Sequence, residues 1–118
     1  VTAAPVGSVL ELFAGAGGAA LGLKRAGWEH LACIDRAPAA VATLRAAGFS
    51  ALEADVASVD WSPWEGSVDL LWASPPCQPG STAGQRRGAN DERDGWPATF
   101  VAIDALRPTW VLAENVLG

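Results

Sequence analysis

Basic residues are scarce: 8 Lys and Arg stand against 13 Asp and Glu in 118 residues, for a net charge of -5 at pH 7 and a sequence pI near 4.6. Proteins that hold nucleic acid unaided draw much of their affinity from Lys and Arg on phosphates, so this balance excludes a self-sufficient nucleic-acid binder. Long apolar runs are also missing. The stretch from Val68 to Ala73 falls far short of the roughly 18 to 20 residues that cross a bilayer, and no basic start precedes an apolar segment. A cytoplasmic chain without a membrane partner is expected. Cysteine occurs only at Cys33 and Cys77. Two isolated cysteines make neither a disulfide framework nor a zinc site, so a reducing compartment and no metal are expected. Repeats and low-complexity tracts are absent, as is methionine. With Val1 at the start and an abrupt end at Gly118, the chain reads as a piece of a longer protein.

What is present is the balance of a packed globular protein, 50% apolar and 18% charged. One domain over residues 1–118 is expected. Strands and helices alternate along it. Val9–Phe13 reads as a strand, followed by a glycine cluster and a helix over Ala19–Ala26 that Gly27 can end. His30–Ile34 reads as a second strand. Pro38 then suits the first turn of a helix whose apolar face is Ala40, Val41, Leu44 and Ala47, closed by Gly48. Ala51–Glu53, Val68–Ala73 and Trp110–Ala113 read as three further strands. Before the last of them, Pro97 can open a helix with Phe100, Ile103 and Leu106 on one face. Strands buried on both faces and joined by helices imply a parallel sheet. Right-handed crossovers favour a doubly wound α/β order, 3-2-1-4-5, with ligands at the carboxyl ends of the strands where the order reverses.

The unusual residues lie at those ends. Phe13, Ala14, Gly15 and Gly17 belong to a turn whose glycines allow backbone to approach a ligand, or serve simply as a tight turn. No G-K-[ST] follows, which excludes a triphosphate cradle. Asp35 ends the second strand, where a carboxylate can accept both ribose hydroxyls of an adenosine-type cofactor or can cap the next helix. Asp55, after the third strand, is placed to accept a hydrogen bond from an adenine amine. Ser74-Pro75-Pro76-Cys77-Gln78-Pro79 ends the fourth strand, and the prolines stiffen the chain before a presented cysteine. Cys33, among Leu31, Ala32 and Ile34, reads instead as a buried small hydrophobe. A free thiol of pKa ~8.5 is only about 3% thiolate at pH 7, so Cys77 needs local help to act as a nucleophile. Glu114 leaves the fifth strand beside the fourth. There it is expected to share one pocket with Cys77, partly desolvated and available as a proton donor.

Taken in order, Phe13 to Gly18, Pro75 to Gln78 and Glu114 to Val116 resemble the ordered motifs of the cytosine-5 DNA methyltransferase family over nearly the whole chain. The resemblance implies a Rossmann-like, S-adenosylmethionine-dependent methyltransferase fold of the kind found in restriction-modification systems, truncated here, with S-adenosylhomocysteine as product. By that similarity Phe13 meets the adenine, Asp35 the ribose with Arg36 beside it, Asp55 and Val56 the adenine ring, Pro76 the cofactor, and Trp96 the methionine side. Cys77 adds to C6 of a flipped-out cytosine while Glu114 engages N3, and C5 takes the methyl group. The polar stretch from Ser81 to Asp94, with Arg86, Arg87 and Arg93, resembles the family's loop that closes over DNA.

Gly80 departs from the family, which usually carries a bulky aromatic after Pro-Cys-Gln-Pro. The downstream arginine motif and target-recognition region of the family have no counterpart in this sequence. The chain alone is therefore expected to be inactive, to bind DNA weakly or not at all, and to need a C-terminal half or a complementing chain. Other readings are a non-catalytic adenosine-binding remnant or a subunit of a split methyltransferase. A tRNA cytosine-5 methyltransferase carries the same two motifs. A nicotinamide-binding domain explains the glycines and Asp35 but leaves Cys77 and Glu114 idle.

Overall fold

The computed structural model describes residues 4–76 and 94–115. Five parallel strands, β1 (Gly7–Leu12), β2 (Trp28–Asp35), β3 (Ala51–Glu53), β4 (Leu70–Ala73) and β5 (Trp110–Ala113), form one sheet in the order β3-β2-β1-β4-β5. This is the doubly wound order expected from the strand and helix alternation. Helices α1 (Gly18–Arg25) and α2 (Pro38–Ala46) link the first three strands, and α3 (Trp96–Leu106) precedes β5. Two short 3-10 turns, Val56–Ser58 and Ser62–Trp64, fill the chain between β3 and β4. No helix among the described residues is long and apolar enough to cross a membrane.

The central strands are apolar because both faces are covered. On one face Leu10, Leu12, Ile34 and Leu71 pack with Val56, Trp61, Ala102 and Leu106. On the other, Cys33 packs with Ala20, Leu44 and Phe49. Burial is uneven at the edge. β5 was expected to be covered like the rest, yet all four of its residues are exposed, Trp110 at 66%, because it is an edge strand with β4 on one side only among the described residues.

Element boundaries differ from expectation where the chain turns. Phe13 has left β1 and takes a left-handed φ of 55°. β2 begins earlier, at Trp28, and β4 later, at Leu70. In α3 the buried residues are Thr99, Ala102 and Leu106, whereas Phe100 is 59% exposed. The expected stripe of Phe100, Ile103 and Leu106 is thus rotated by about one residue. Small residues at 99 and 102 take the buried side, and the bulky ring of Phe100 turns outward. In α2, likewise, Val41 and Leu44 are buried and Ala47 is exposed.

The β1–β2 ladder carries an irregularity. Val9 pairs with His30 but Leu10 pairs with Ala32, so β2 holds one more residue than β1 at that point. Such a bulge re-aims the side chains around it.

Candidate functional site

A cavity of about 510 Å³ opens at the carboxyl ends of the strands. The chain just after β1 contributes Phe13, the end of β2 Asp35 and Arg36, the chain after β3 the run Ala54 to Ala57, and the chain after β4 Ser74 and Pro76, with Asp94, Gly95 and Ala98 closing it around the start of α3. Its position is where a doubly wound sheet places ligands, because the loops diverge where the strand order reverses. Its size is that of an ordinary small-molecule site.

The floor is held by backbone bonds that continue the sheet. The Ala14 amide donates to the Ile34 carbonyl at 3.0 Å, Ala54 to Asp35 at 3.0 Å and Ser74 to Leu12 at 3.3 Å. Asp35 ties two of these loops together. Its Oδ2 accepts from the Gly15 amide at 2.8 Å and its Oδ1 from the Ala37 amide at 2.9 Å. The carboxylate thus fixes the glycine turn against the end of β2, and it does not cap the next helix, whose N-cap is Ala37 with no side-chain cap hydrogen bond. Gly15 and Gly17 have φ of 59° and 105°, and a Cβ on Gly17 would lie 3.0 Å from Leu44 Cδ2. The left-handed conformation therefore requires glycine at Gly17, and the space beside Leu44 is tight. Asp55 Oδ1 accepts from the Ala57 amide at 2.9 Å and so caps the first 3-10 turn. Val56 is buried behind it and forms apolar wall.

The opposite wall depends on Gly95. Its amide donates to the Pro76 carbonyl at 3.0 Å, and its own carbonyl accepts from the Thr99 amide and hydroxyl at 3.1 and 2.8 Å. A Cβ there would meet Pro76 Cδ at 2.6 Å, Phe13 Cζ at 2.8 Å and Pro75 Cβ at 3.0 Å. Two proline rings cannot swing away. Gly95→Ala is therefore expected to cost about 1–3 kcal/mol by overpacking. A fall in the urea midpoint checks this, and an unchanged midpoint counts against the close packing described here.

Of the residues singled out in the sequence, Phe13, Asp35, Arg36, Asp55, Val56 and Pro76 all line this cavity. Ala14, Gly15 and Gly17 are not in its lining, and Trp96 packs on Phe100 with ring centroids 5.8 Å apart, also outside the lining. Glu114 differs from expectation: it is exposed, not partly desolvated, because β5 has no cover on its outer edge among the described residues. Its amide donates to the Ala73 carbonyl at 2.9 Å, so its backbone lies beside the end of β4, just ahead of Pro75 and Pro76. Cys77, Gly80, Ser81, Arg86, Arg87 and Arg93 lie outside the described residues.

Sequence reasoning missed Asp94 and Gly95. The signal was an acid and a glycine directly before the Trp96-Pro97 helix start, and indeed Asp94 Oδ1 accepts from the Trp96 amide at 3.0 Å. It also missed Glu11, which is 1% exposed in the middle of β1 and sits against His30 and Cys33. Cys33 is buried as expected, but its thiol donates to Glu11 at 3.4 Å. Burial first, and then the charge and hydrogen bond of Glu11, push that thiol's pKa well above its ordinary value.

Comparison with known proteins agrees with this architecture. Residues 7–118 match the family model described as C-5 cytosine-specific DNA methylase. The Type II methyltransferase M.NgoMIV of Neisseria gonorrhoeae is 41% identical over 111 residues, which are 92% of this chain and 35% of that protein. M.PspPI of a Psychrobacter species is 43% identical over 114 residues, 94% of this chain and 27% of that protein. The chain thus spans about a third of the length of these relatives. A shorter one, M.HgiGI of Herpetosiphon aurantiacus, is 37% identical and is matched over 88% of its length. Among solved structures, a Spodoptera frugiperda DNMT2 mutant superposes with a TM-score of 0.70 at 28% identity, covering 95% of this chain and 36% of that one. With the family model covering all but the first few residues, and with the strand order and pocket position in agreement, the chain belongs to the C-5 cytosine-specific DNA methylase family.

Proposed function

We propose that this chain is the cofactor-binding and nucleophile-bearing part of a DNA (cytosine-5)-methyltransferase, with S-adenosylmethionine held in the cavity at the carboxyl ends of β1 to β4. The observation that carries the reading is the lining itself: an aromatic ring, a ribose-competent carboxylate and an apolar wall, from Phe13, Asp35 and Val56, converge on one space of about 510 Å³. These fit an adenosine better than a nucleotide with a phosphate chain. Among the described residues, the cavity lining holds one basic residue, Arg36, against three acids, Asp35, Asp55 and Asp94. Phosphates need the opposite balance.

In this reading Phe13 and Val56 cover the faces of the adenine, Asp55 receives its amine, and Asp35 accepts the ribose hydroxyls through lone pairs left free by its two backbone bonds. The bound cofactor supplies an electrophilic methyl group. Cys77 adds through sulfur to C6 of the cytosine, and Glu114 stabilises the ring by hydrogen bonding or proton donation at N3, so electron density rises at C5. After C5 is methylated, removal of its proton returns an electron pair to the ring and expels the Cys77 sulfur. The base must first leave the stacked duplex, because the ring face is inaccessible within it. The contacts that offset this unstacking belong to the remaining part of the enzyme. We accordingly expect the 118-residue chain to be inactive alone and to act only with a C-terminal part, in the same polypeptide or as a complementing chain.

Calorimetric titration with S-adenosylmethionine tests the cofactor half of the proposal. Saturable binding is expected, with S-adenosylhomocysteine competing for the same site and NAD not. Tight NAD binding without S-adenosylmethionine binding would overturn it.

A further inference from the structure

A second polar site lies on the β1–β2 pair, apart from the cavity lining. Glu11 is 1% exposed and the His30 side chain 4%, while Cys33 is fully buried. Glu11 Oε2 is 3.1 Å from His30 Nε2 and 3.4 Å from Cys33 Sγ, and one donor atom from each residue lies within 4.8 Å of the other two.

This convergence is built by the backbone. His30 and Cys33 are three apart in a strand, so a regular β2 would send them to opposite faces. The bulge that pairs Leu10 with Ala32 inserts one residue between them and turns both toward Glu11. The hydrogen-bonded arrangement is nevertheless incomplete. Glu11 Oε1 is buried with no hydrogen-bond partner among the described residues, a costly state for a carboxylate oxygen. The His30–Glu11–Cys33 contacts leave that oxygen unanswered. Its carboxylate stands at the centre of a nitrogen, oxygen and sulfur donor set, the mixture favoured by borderline divalent ions such as zinc.

Charge balance is compatible with an ion: once a divalent cation has displaced the proton that the Cys33 thiol otherwise donates to Glu11, carboxylate and thiolate together match its two charges in an interior where unpaired charge is expensive. Of the three, His30 lies nearest the surface, lining a hollow of about 450 Å³ with Lys24, Gly48, Phe49 and Ser50. The Phe49 ring meets His30 edge-on at 4.9 Å, and Lys24 Nζ lies 5.4 Å from the centroid of that ring.

We propose that Glu11, His30 and Cys33 bind a borderline divalent metal ion of the zinc type, with water as the fourth ligand. Binding sends the Cys33 proton to solvent and leaves the His30 proton on Nδ1, with Nε2 on the metal. No electron transfer is involved. The ion cross-links β1 and β2 just before Phe13 and Asp35, stiffening the pocket from behind, and the site stands whatever that pocket holds.

Titrating the metal-stripped full chain with Co2+ is the test, because cobalt reports its ligands by colour. A stoichiometric cobalt–thiolate charge-transfer band in the near ultraviolet is expected, displaced by Zn2+. The ring signals of His30, the chain's single histidine, should shift when Zn2+ is added. Cys33→Ser should remove the band and weaken binding by more than about 100-fold, beyond the usual cost of losing an outer partner. Cys77→Ser should keep both band and affinity. If Cys33→Ser does not fold, Glu11→Gln serves instead: it preserves side-chain volume, and metal affinity should fall comparably. A band that survives Cys33→Ser but vanishes in Cys77→Ser, unchanged affinity in Glu11→Gln, or His30 signals unmoved by saturating Zn2+ overturns the proposal.

Discussion

Cys77→Ser should reduce methyl transfer by the complete enzyme by at least about a thousandfold, as expected when a covalent nucleophile is lost, while leaving S-adenosylmethionine binding within roughly twofold. The reason is the strength of the attacking atom. A thiol needs only a modest shift to become a thiolate near neutral pH, whereas a serine hydroxyl stays protonated and adds to C6 poorly. Cofactor binding should survive because the sulfur acts on the base, while among the described residues of this segment Ser74 and Pro76 line the pocket. Methyl incorporation from labelled cofactor into duplex DNA, read beside calorimetry on the same sample, separates the two effects. Activity within about tenfold of the parent would exclude the covalent route, since that loss is far smaller than losing a nucleophile causes. Equal loss of activity and cofactor affinity would instead assign Cys77 to the pocket.

Asp35→Ala carries the second large effect, and it acts on binding and stability together. The carboxylate accepts from Gly15 at 2.8 Å and from Ala37 at 2.9 Å, so its removal releases the glycine turn from the end of β2. Two charge-assisted bonds, partly open to solvent, make a loss of about 1–3 kcal/mol in unfolding free energy reasonable. Losing the ribose contacts as well should weaken S-adenosylmethionine by roughly 100-fold, or about 3 kcal/mol. Asp35→Asn is the informative companion. It keeps one oxygen for a backbone amide and so recovers part of the stability, but it cannot accept both ribose hydroxyls, and affinity should stay low. If Asp35→Ala lowers stability yet binds the cofactor normally, this residue is only a turn clamp and the ribose must sit elsewhere.

Much of this was legible in the residues. Glycine clusters and prolines punctuate the chain where it changes from strand to helix, and the apolar runs between them are too short for anything but buried strands. From these follow the parallel sheet and its order, and with the order comes the position of the cavity. Phe13, Asp35 and Asp55 could be picked out because each stands at or within two residues of a strand's carboxyl end, where a doubly wound sheet has its ligand edge.

Other features depend on contacts between distant residues, to which local pattern is blind. Phe100 looked like core, but Thr99, Ala102 and Leu106 take the buried side of the helix and leave the ring exposed. Glu114 looked desolvated by the apolar strand before it, yet β5 is uncovered at its outer edge among the described residues. Gly95 gave no sign that three rings crowd it. The sharpest case is Glu11: from the sequence it is a lone acid in an apolar run, and Cys33 is a small hydrophobe two strands' worth of chain away. Sequence by itself determined the sheet order, the approximate place of each strand and the family motifs, since those follow from local periodicity and punctuation. Only the tertiary structure brought Glu11, His30 and Cys33 together, because one extra residue in the β1–β2 register decides which face each side chain occupies.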